Sequence, residues 1–328
     1  MCGYCRAREF CSAVRNIETI KRELEMRMKV LASAALGLLL SVATAAHADE
    51  EKGTLGEILD AKKIVIMNDL SAAPWQFRDA NGNAAGFSVD LNRMIAARLG
   101  VDLELVNVEW AGLIPGLLSR KSDILATSMS TTFKRAQQIL FTTETWYATG
   151  VIAMVKPEKK DMSWEELNQA GQRIAVKAGT NAVDAAKQFF PNAELQSYPN
   201  DTDTYQALKT DRVDAALNDL AVLDVVQQEY GFEALKEPRE LISSDTWAFA
   251  VRPGDTYTWQ FLNFFLAKIK ESGELDALRK YWVEGGTWKT DFLQKNDGVS
   301  DERKKLVEQL GIAEYVPEAG DAVRMTLQ

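Results

Sequence analysis

The sequence has few of the residues that carry nucleophilic and metal chemistry. Its 328 residues include three cysteines and one histidine, and all four come before Asp49: Cys2, Cys5, Cys11 and His47. Beyond His47 the chain therefore offers neither a thiol nor an imidazole. This absence excludes from that part a Ser-His-Asp triad, a cysteine nucleophile, a zinc site with histidine or cysteine ligands, and a disulfide framework. We expect no metal and no cofactor.

The first 48 residues have the features of a secretory leader. Lys29 precedes an apolar run over 30–46, which ends in Ala-His-Ala, a small-residue pattern typical of a signal-peptide cleavage site. We predict a signal peptide over 26–48, cleavage after Ala48 and a periplasmic location. Residues 1–25 precede the charged start of that signal, and we interpret them as a spurious upstream extension or a disordered leader.

The chain after the leader is acidic. Removing the leader's seven basic and four acidic residues from totals of 38 and 47 leaves 31 and 43, a net charge of −12. A surface of that sign repels the phosphate backbone of nucleic acids. We therefore expect no nucleic-acid partner, and we take the protein to be a monomer.

Segments of strand and helix length alternate along the chain. Strand-like runs at 63–67 and 101–108 flank a helical pattern over 87–99. A second helix near 113–118 and a short apolar run at 124–126 complete a β-α-β-α-β order. That order is typical of an α/β fold with an open, mostly parallel sheet and helices on both faces.

The same order recurs after Gly150. Strands are predicted at 173–177, 194–198 and 213–217, with helices over 182–190 and 202–210 between them, and an apolar segment at 246–251 returns to the first sheet. Later helices are predicted over 259–270, 275–282 and 301–310. We predict a discontinuous first lobe (49–150 and 246–292), an inserted second lobe (151–245), two crossing strands between them and a C-terminal extension (293–328).

A hydroxyl-rich loop leaves the predicted strand at 124–126. Residues 127–132 include five hydroxyl side chains, and Arg135 follows closely. Arginine offers a planar, bidentate fork to a carboxylate, and hydroxyl and backbone N–H groups fill the remaining lone pairs. Asp69 and Trp110 also fall at carboxyl ends of strands, where ligands bind in such sheets. The cleft between the lobes is therefore the expected site, although a solvated loop with an exposed arginine also fits the loop taken alone.

Seven short motifs support this interpretation from residue 53 to about residue 288. In order they are APWQF (73–77), GFSVDL (86–91), WAGLIPGL (110–117), KRA (134–136), VKAGT (176–180), DAALND (214–219) and SGELD (272–276). With them the chain resembles the family 3 extracellular solute-binding proteins, the polar amino-acid receptors of ABC importers. The resemblance implies a type II periplasmic-binding-protein fold. Its two lobes would close on a small polar amino acid and deliver it to a permease in the inner membrane.

The resemblance also assigns residues to the two charged groups of the ligand. Arg135 matches the arginine that pairs with the α-carboxylate, and Ser128 and Ser130 match its partners on the first lobe. Thr180 and Asn181 match second-lobe residues whose N–H groups reach the same carboxylate from a helix N-terminus, where an anion is favoured.

The other assigned residues face the α-ammonium and the side chain. Asp219 matches the acid that binds the α-ammonium. Trp110 matches an aromatic residue that packs on the ligand side chain, and Asp69 and Lys177 match two positions near the tip of that side chain. Simpler interpretations remain open at three of them. Asp219 could cap a helix, Trp110 could be a core residue, and Lys177 could be a solvated charge at the cleft edge.

Two departures from the family pattern leave the ligand open. Ala72 stands where the family usually has an aromatic, so one face of an aromatic sandwich is missing unless Trp75 or Trp146 leans in. Phe133-Lys134 stands where an acidic residue often precedes the arginine. Asp69 favours a cationic or amide tip and Lys177 an acidic or amide one, so an uncharged polar ligand such as glutamine would fit both.

Two other functions stay open at this point. The same fold hosts periplasmic cyclohexadienyl dehydratases, whose chemistry needs a proton donor, here Asp69 or Glu109. An accessory protein whose cleft binds no amino acid is the third possibility. An intact clamp of Arg135 and Asp219 favours transport over turnover, so we expect the protein not to be an enzyme.

Overall fold

A computed structural model describes residues 53–235, 241–295, 298–312 and 322–325. The predicted signal peptide, its cleavage site and residues 1–25 lie outside these described residues. Within the described ranges, no helix is both long and apolar enough to span a bilayer.

The described residues form thirteen strands and twelve α-helices. The strands are β1 (Lys63–Asn68), β2 (Ser71–Ala72), β3 (Gln76–Arg78), β4 (Ala84–Ala85), β5 (Asp102–Asn107), β6 (Leu140–Thr149), β7 (Val151–Val155), β8 (Arg173–Lys177), β9 (Glu194–Tyr198), β10 (Ala215–Asp219), β11 (Glu233–Ala234), β12 (Asp245–Val251) and β13 (Ala322–Met325). The helices are α1 (Gly53–Ala61), α2 (Phe87–Leu99), α3 (Leu113–Leu118), α4 (Phe133–Ala136), α5 (Trp164–Leu167), α6 (Asn181–Phe189), α7 (Asp201–Lys209), α8 (Leu223–Tyr230), α9 (Thr256–Glu271), α10 (Glu274–Arg279), α11 (Thr287–Leu293) and α12 (Asp301–Leu310).

The sheet of the first lobe has a parallel pair at its centre. β1 pairs in parallel with β5, and β13 adds to β5 in antiparallel. On the other side of β1, single bridges join Ile66 to Ile124 and Leu125 to Ala250, which lead to the antiparallel pair of β12 and β6. A separate small sheet consists of β2, β3 and β4, and β3 and β4 form a hairpin whose turn lies near residue 80.

The predicted strand at 124–126 is wrong as a regular strand, because these residues make only two bridges. The reason lies in the residues just before it. The Asp123 carboxylate accepts from the N–H of Val65 at 2.6 Å, and the Ser122 hydroxyl accepts from the N–H of Met67 at 3.0 Å. Side chains thus take the N–H groups of β1 that the carbonyls of a neighbouring strand would otherwise take.

The second lobe is a five-stranded sheet in the order β11-β7-β10-β8-β9. β10, β8 and β9 run parallel to one another. β7 pairs in antiparallel with β10, and β11 pairs in antiparallel with β7 at the edge of the sheet. The predictions at 173–177 and 194–198 are confirmed, while the strand predicted at 213–217 lies two residues later. Ile174, Val176 and Leu217 are buried among the apolar residues of this sheet's core, which includes Ala182 and Ala186 of α6.

Two segments cross between the lobes side by side. β6 leads into β7 through Gly150, and the returning chain enters β12 beside it, with Asp245 opposite Thr149. The N–H of Val151 donates to the Ser243 carbonyl at 3.1 Å. A Cβ at Gly150 would lie 2.0 Å from that carbonyl oxygen, so only glycine allows the two backbones to approach so closely. The predicted pair of crossing strands is therefore present.

The first turn of α2 fixes the β2–β4 sheet against the core. Gly86 precedes the helix with φ 128°, and a Cβ there would lie 2.5 Å from the Trp75 carbonyl oxygen. Gly100 ends the same helix in the left-handed region, as its place after the apolar pattern predicts. The helix between them is buried over its first ten residues.

The C-terminal region packs on the first lobe. α12 coincides with the helix predicted at 301–310, and its buried Arg303 pairs with the buried Asp90 of α2. β13 extends the first-lobe sheet along β5, with Ala322 opposite Val106. The exact lobe boundaries at 150/151 and 245/246 stay predictions.

Candidate functional site

A polar cleft lies where the carboxyl ends of the two sheets face each other. The space between its walls, open solvent included, is about 360 Å³. Seven of the nine predicted site residues line it: Trp110, Ser128, Ser130, Lys177, Thr180, Asn181 and Asp219. The other two, Arg135 and Asp69, contact lining residues directly.

Arg135 joins the two walls of the cleft. It lies in α4, where the Thr132 hydroxyl accepts its backbone N–H. Its guanidinium donates to the Ser130 carbonyl at 2.8 Å and, across the cleft, to the Gly179 carbonyl at 3.1 Å. Burial lowers the pKa of Arg135, and the charge of Asp219 acts against that shift. Arg135 is 6% exposed. The alternative interpretation, a solvated loop with an exposed arginine, is therefore wrong.

The N-terminus of α6 faces the same region. Thr180 precedes the helix, but its hydroxyl donates to the Lys177 carbonyl at 2.8 Å and makes no capping bond. Asn181 donates from its side chain to the Ser130 hydroxyl at 3.1 Å and to the Asp245 carboxylate at 2.9 Å. A helix end without a side-chain cap favours an anion, because its first N–H groups and its dipole point outward.

Asp219 ends β10 at the cleft. The backbone turns directly after it, yet the side chain makes no capping hydrogen bond, so the helix-cap interpretation is wrong. Its Oδ1 atom is buried and accepts no hydrogen bond. Burial and the charge of Asp245 raise the pKa of Asp219 to about 7, against the opposing effects of Asn181 and Arg135. Such a carboxyl has unused acceptor capacity for a cation.

Lys177 forms a buried ion cluster with two acids. Its Nζ lies 2.6 Å from Asp201 Oδ2 and 3.2 Å from Asp69 Oδ2. Burial alone would lower the pKa of Lys177, but the charges of Asp201 and Asp69 outweigh it and raise that pKa. The side chain is 5% exposed. The interpretation of Lys177 as a solvated charge at the cleft edge is therefore wrong.

Three tryptophans form the apolar part of the cleft: Trp75, Trp110 and Trp247. Trp110 lines the cleft and also packs in a first-lobe core cluster with Leu113 and Met129, so both of its interpretations apply. The indole N–H of Trp75 donates to the Ala221 carbonyl at 3.0 Å. Trp75 and Ala72 both line the cleft, whereas Trp146 packs against Trp75, with ring centroids 6.1 Å apart.

Sequence reasoning missed Asp201, Trp247, Gln76 and Asn218. Asp201 is 2% exposed and accepts from Asn218 at 2.8 Å, which in turn donates to the Tyr205 hydroxyl at 2.7 Å. Gln76 donates to the Ser128 hydroxyl at 2.7 Å. The neighbouring residues Asn218 and Asp219 at one strand end were the available signal for Asn218. An acid in the first turn of a helix is common, so Asp201 carried no signal of its own.

The described part of the chain has no group of three or more His, Cys, Asp or Glu side chains placed to hold a metal ion. In the cluster of Asp69, Asp201 and Lys177, an ammonium lies between the two carboxylates.

Two lobes joined by crossing segments around a polar cleft define a type II periplasmic binding protein. More specifically, the chain belongs to the bacterial extracellular solute-binding proteins, family 3, whose model matches residues 64–285. The L-cystine-binding protein TcyJ of Escherichia coli is 25% identical over 257 residues, which cover 78% of this chain and 95% of that protein.

Solved structures agree with the family assignment. The ancestral amino acid-binding protein AncCDT-1, a precursor of cyclohexadienyl dehydratase, is 30% identical with a TM-score of 0.66, over 70% of this chain and 99% of its own. A mutant of ArgBP from T. maritima is 28% identical with a TM-score of 0.66, over 71% of this chain and 100% of its own. The relatives named here are binding proteins.

Proposed function

We propose that this protein captures a small polar L-amino acid between its lobes and delivers it to an ABC permease in the inner membrane. The ligand is a zwitterion, and enclosing it removes water from both charges, which costs several kcal/mol per ion unless each is paired. Arg135 from the first lobe and Asp219 from the second supply the two partners. Pairing both charges needs both lobes, which couples binding to closure.

The observation that carries this proposal is the state of Asp219. Its buried Oδ1 accepts no hydrogen bond, while its pKa is about 7. An ammonium group donates three hydrogen bonds and brings the positive charge that this carboxyl lacks. The α-ammonium of an amino acid fits that position.

The carboxylate end has matching donors. The uncapped N-terminus of α6 and the guanidinium of Arg135 meet at Gly179, whose carbonyl Arg135 contacts at 3.1 Å. Ser128 and Ser130 line the cleft on the opposite wall. A carboxylate placed there would receive a bidentate fork and backbone N–H groups together.

We infer further that the protein is not an enzyme. In the dehydratase alternative the proton donor would be Asp69 or Glu109. Asp69 is paired with Lys177 at 3.2 Å, and Glu109 is exposed to solvent, so neither is an unpaired acid held within the cleft. The likeness to a precursor of cyclohexadienyl dehydratase makes prephenate a required control substrate.

We propose that the chain reaches the periplasm through the signal peptide over 26–48. We also propose that lobe 1 comprises 49–150 with 246–292 and that lobe 2 comprises 151–245.

The mature chain would carry a net charge of −12, and we infer that it acts as a monomer without nucleic acid. Mass spectrometry of the exported protein should find Asp49 at the N-terminus, and light scattering should give the mass of one chain.

A thermal-shift screen tests the function. The purified protein is scanned against the common L-amino acids, opines and prephenate. A ligand at 100 times its dissociation constant stabilises by about 2.7 kcal/mol, which gives a visible shift in Tm. We expect a hit among the polar amino acids that disappears in Arg135→Ala and persists in the control Arg279→Ala, whose side chain is 40% exposed. Silence across the amino acids, or turnover of prephenate, would refute the proposal.

A further inference from the structure

The ammonium of Lys177 is paired within the protein. It donates to Asp201 Oδ2 at 2.6 Å and to Ser71 Oγ at 3.5 Å. It also forms an ion pair with Asp69, whose Oδ2 lies 3.2 Å away and accepts no hydrogen bond. Lys177 therefore lines the cleft with its charge already paired to two acids.

The surroundings of this ammonium are those of a cation-binding pocket. Two buried carboxylates, 4% and 2% exposed at Asp69 and Asp201, lie on opposite walls. The Trp110 ring forms a third side, with its centroid 5.1 Å from the ammonium. Paired carboxylates beside an aromatic face are the groups that recognise an alkylammonium or a guanidinium.

One acid of this pocket is held in place by a residue other than Lys177. Asp201 Oδ1 accepts from Asn218 at 2.8 Å, and Asn218 also donates to the Tyr205 hydroxyl at 2.7 Å. Asp201 is thus oriented independently of Lys177, and Lys177 supplies the cation of the pocket from within the chain.

We propose that Lys177 is a built-in cation that occupies this subsite, and that it directs the cleft towards amino acids with uncharged side chains and against lysine and arginine. The identity of the ligand backbone rests on the proposed function, whereas the occupied subsite does not. An incoming cationic side chain would meet an ammonium of like charge in place of the two acids. The ligand specificity of this chain would therefore differ from that of ArgBP, which has been solved in an arginine-bound form.

The test compares the wild-type protein with Lys177→Ala and Lys177→Arg. Thermal shifts and dissociation constants are measured with L-glutamine, L-lysine, L-arginine and n-butylammonium. The last probe has a cationic tip but no amino-acid backbone, so it reports on the subsite alone. Lys177→Ser is measured alongside, because it keeps a polar group at the site if the alanine variant folds poorly.

We expect the wild-type protein to bind L-lysine and L-arginine at least tenfold more weakly than L-glutamine. Lys177→Ala and Lys177→Ser should gain at least tenfold in affinity for L-lysine and should become stabilised by n-butylammonium. Lys177→Arg keeps the internal cation and should gain neither.

Tight binding of L-lysine or L-arginine by the wild-type protein overturns the inference without any variant. So does a folded Lys177→Ala that binds L-glutamine but gains nothing for either cationic probe; in that case the proposed function stands. If no amino acid binds but n-butylammonium stabilises Lys177→Ala alone, the subsite is established and the proposed function fails.

Discussion

Replacement of Asp219 by asparagine is expected to abolish amino-acid binding and to stabilise the protein itself above neutral pH. The binding loss follows from the charge, because asparagine cannot neutralise a buried α-ammonium. Truncating one partner of a buried, hydrogen-bonded charge pair costs about 2–5 kcal/mol, a factor of roughly 30 to several thousand in dissociation constant.

The stability gain follows from the raised pKa. Asp219 has a pKa of about 7 in the folded protein against an ordinary value of 3.8. Between these values the folded state holds a proton that the unfolded state has released, so stability falls as pH rises through that window. Asparagine has no proton to lose. Asp219→Asn should therefore gain stability over the wild type progressively from about pH 4 to pH 7 and keep that gain at higher pH, by on the order of 2–4 kcal/mol.

Binding should show the same ionisation. The ligand ammonium needs the charged form of Asp219, so the affinity of the wild-type protein for its ligand should weaken by about tenfold for each pH unit below 7. Calorimetry in two buffers of different ionisation enthalpy should detect proton release on binding near neutral pH. Asp276→Asn, whose carboxylate is 77% exposed, is the control and should change neither property. An Asp219→Asn protein that binds normally, or whose stability gain does not grow with pH, would contradict both arguments.

The fold was largely predictable because its strands are compact runs of apolar residues between polar turns. β8 and β9 match their predicted bounds, and α12 coincides with its predicted range. The failure at 124–126 has a local cause, since a three-residue apolar run does not reveal that Ser122 and Asp123 will bond to β1 in place of a neighbouring strand.

The site was predictable where a residue is of a type that indicates a binding role and lies at the end of a strand or helix. Arg135, Asp219 and Trp110 are such residues, and the structure brings them to one cleft, although their roles stay predictions. The cluster around Lys177 was predictable only in part. The resemblance placed Asp69 and Lys177 near the same end of the ligand, but nothing pointed to Asp201. It lies 24 residues after Lys177, and that spacing does not place the two side chains together through the period of a helix or a strand.

The second large effect is expected far from the cleft. Arg303 of α12 donates to both carboxylate oxygens of Asp90, one bond measuring 2.8 Å, and its guanidinium lies between the rings of Tyr281, Trp282 and Phe292. Arg303→Met removes the charge while keeping much of the apolar stem. Removing one partner of a buried ion pair costs about 3–5 kcal/mol, and we expect about 3 kcal/mol, since Arg93 and Trp282 still donate to Asp90.

The effect should depend on pH in the opposite sense to that of Asp219. Burial alone would raise the pKa of Asp90, but Arg303, Arg93 and the hydrogen bond from Trp282 together outweigh burial and lower it below 3.8. The stability contributed by Asp90 is present above about pH 4 and is lost as pH falls through its folded pKa. The difference between wild type and Arg303→Met in urea unfolding should therefore shrink in acid.

A neighbouring ion pair on the same helix supplies the control. Lys304 pairs with Asp301 at 3.1 Å, with side chains 60% and 88% exposed, so Lys304→Met should cost less than about 1 kcal/mol. Asp90→Asn combined with Arg303→Met should cost less than the sum of the two single changes, because each single change breaks the same Asp90–Arg303 pair. If Arg303→Met cost no more than Lys304→Met, the pair of Arg303 and Asp90 would not stabilise the packing of α12 on the first lobe.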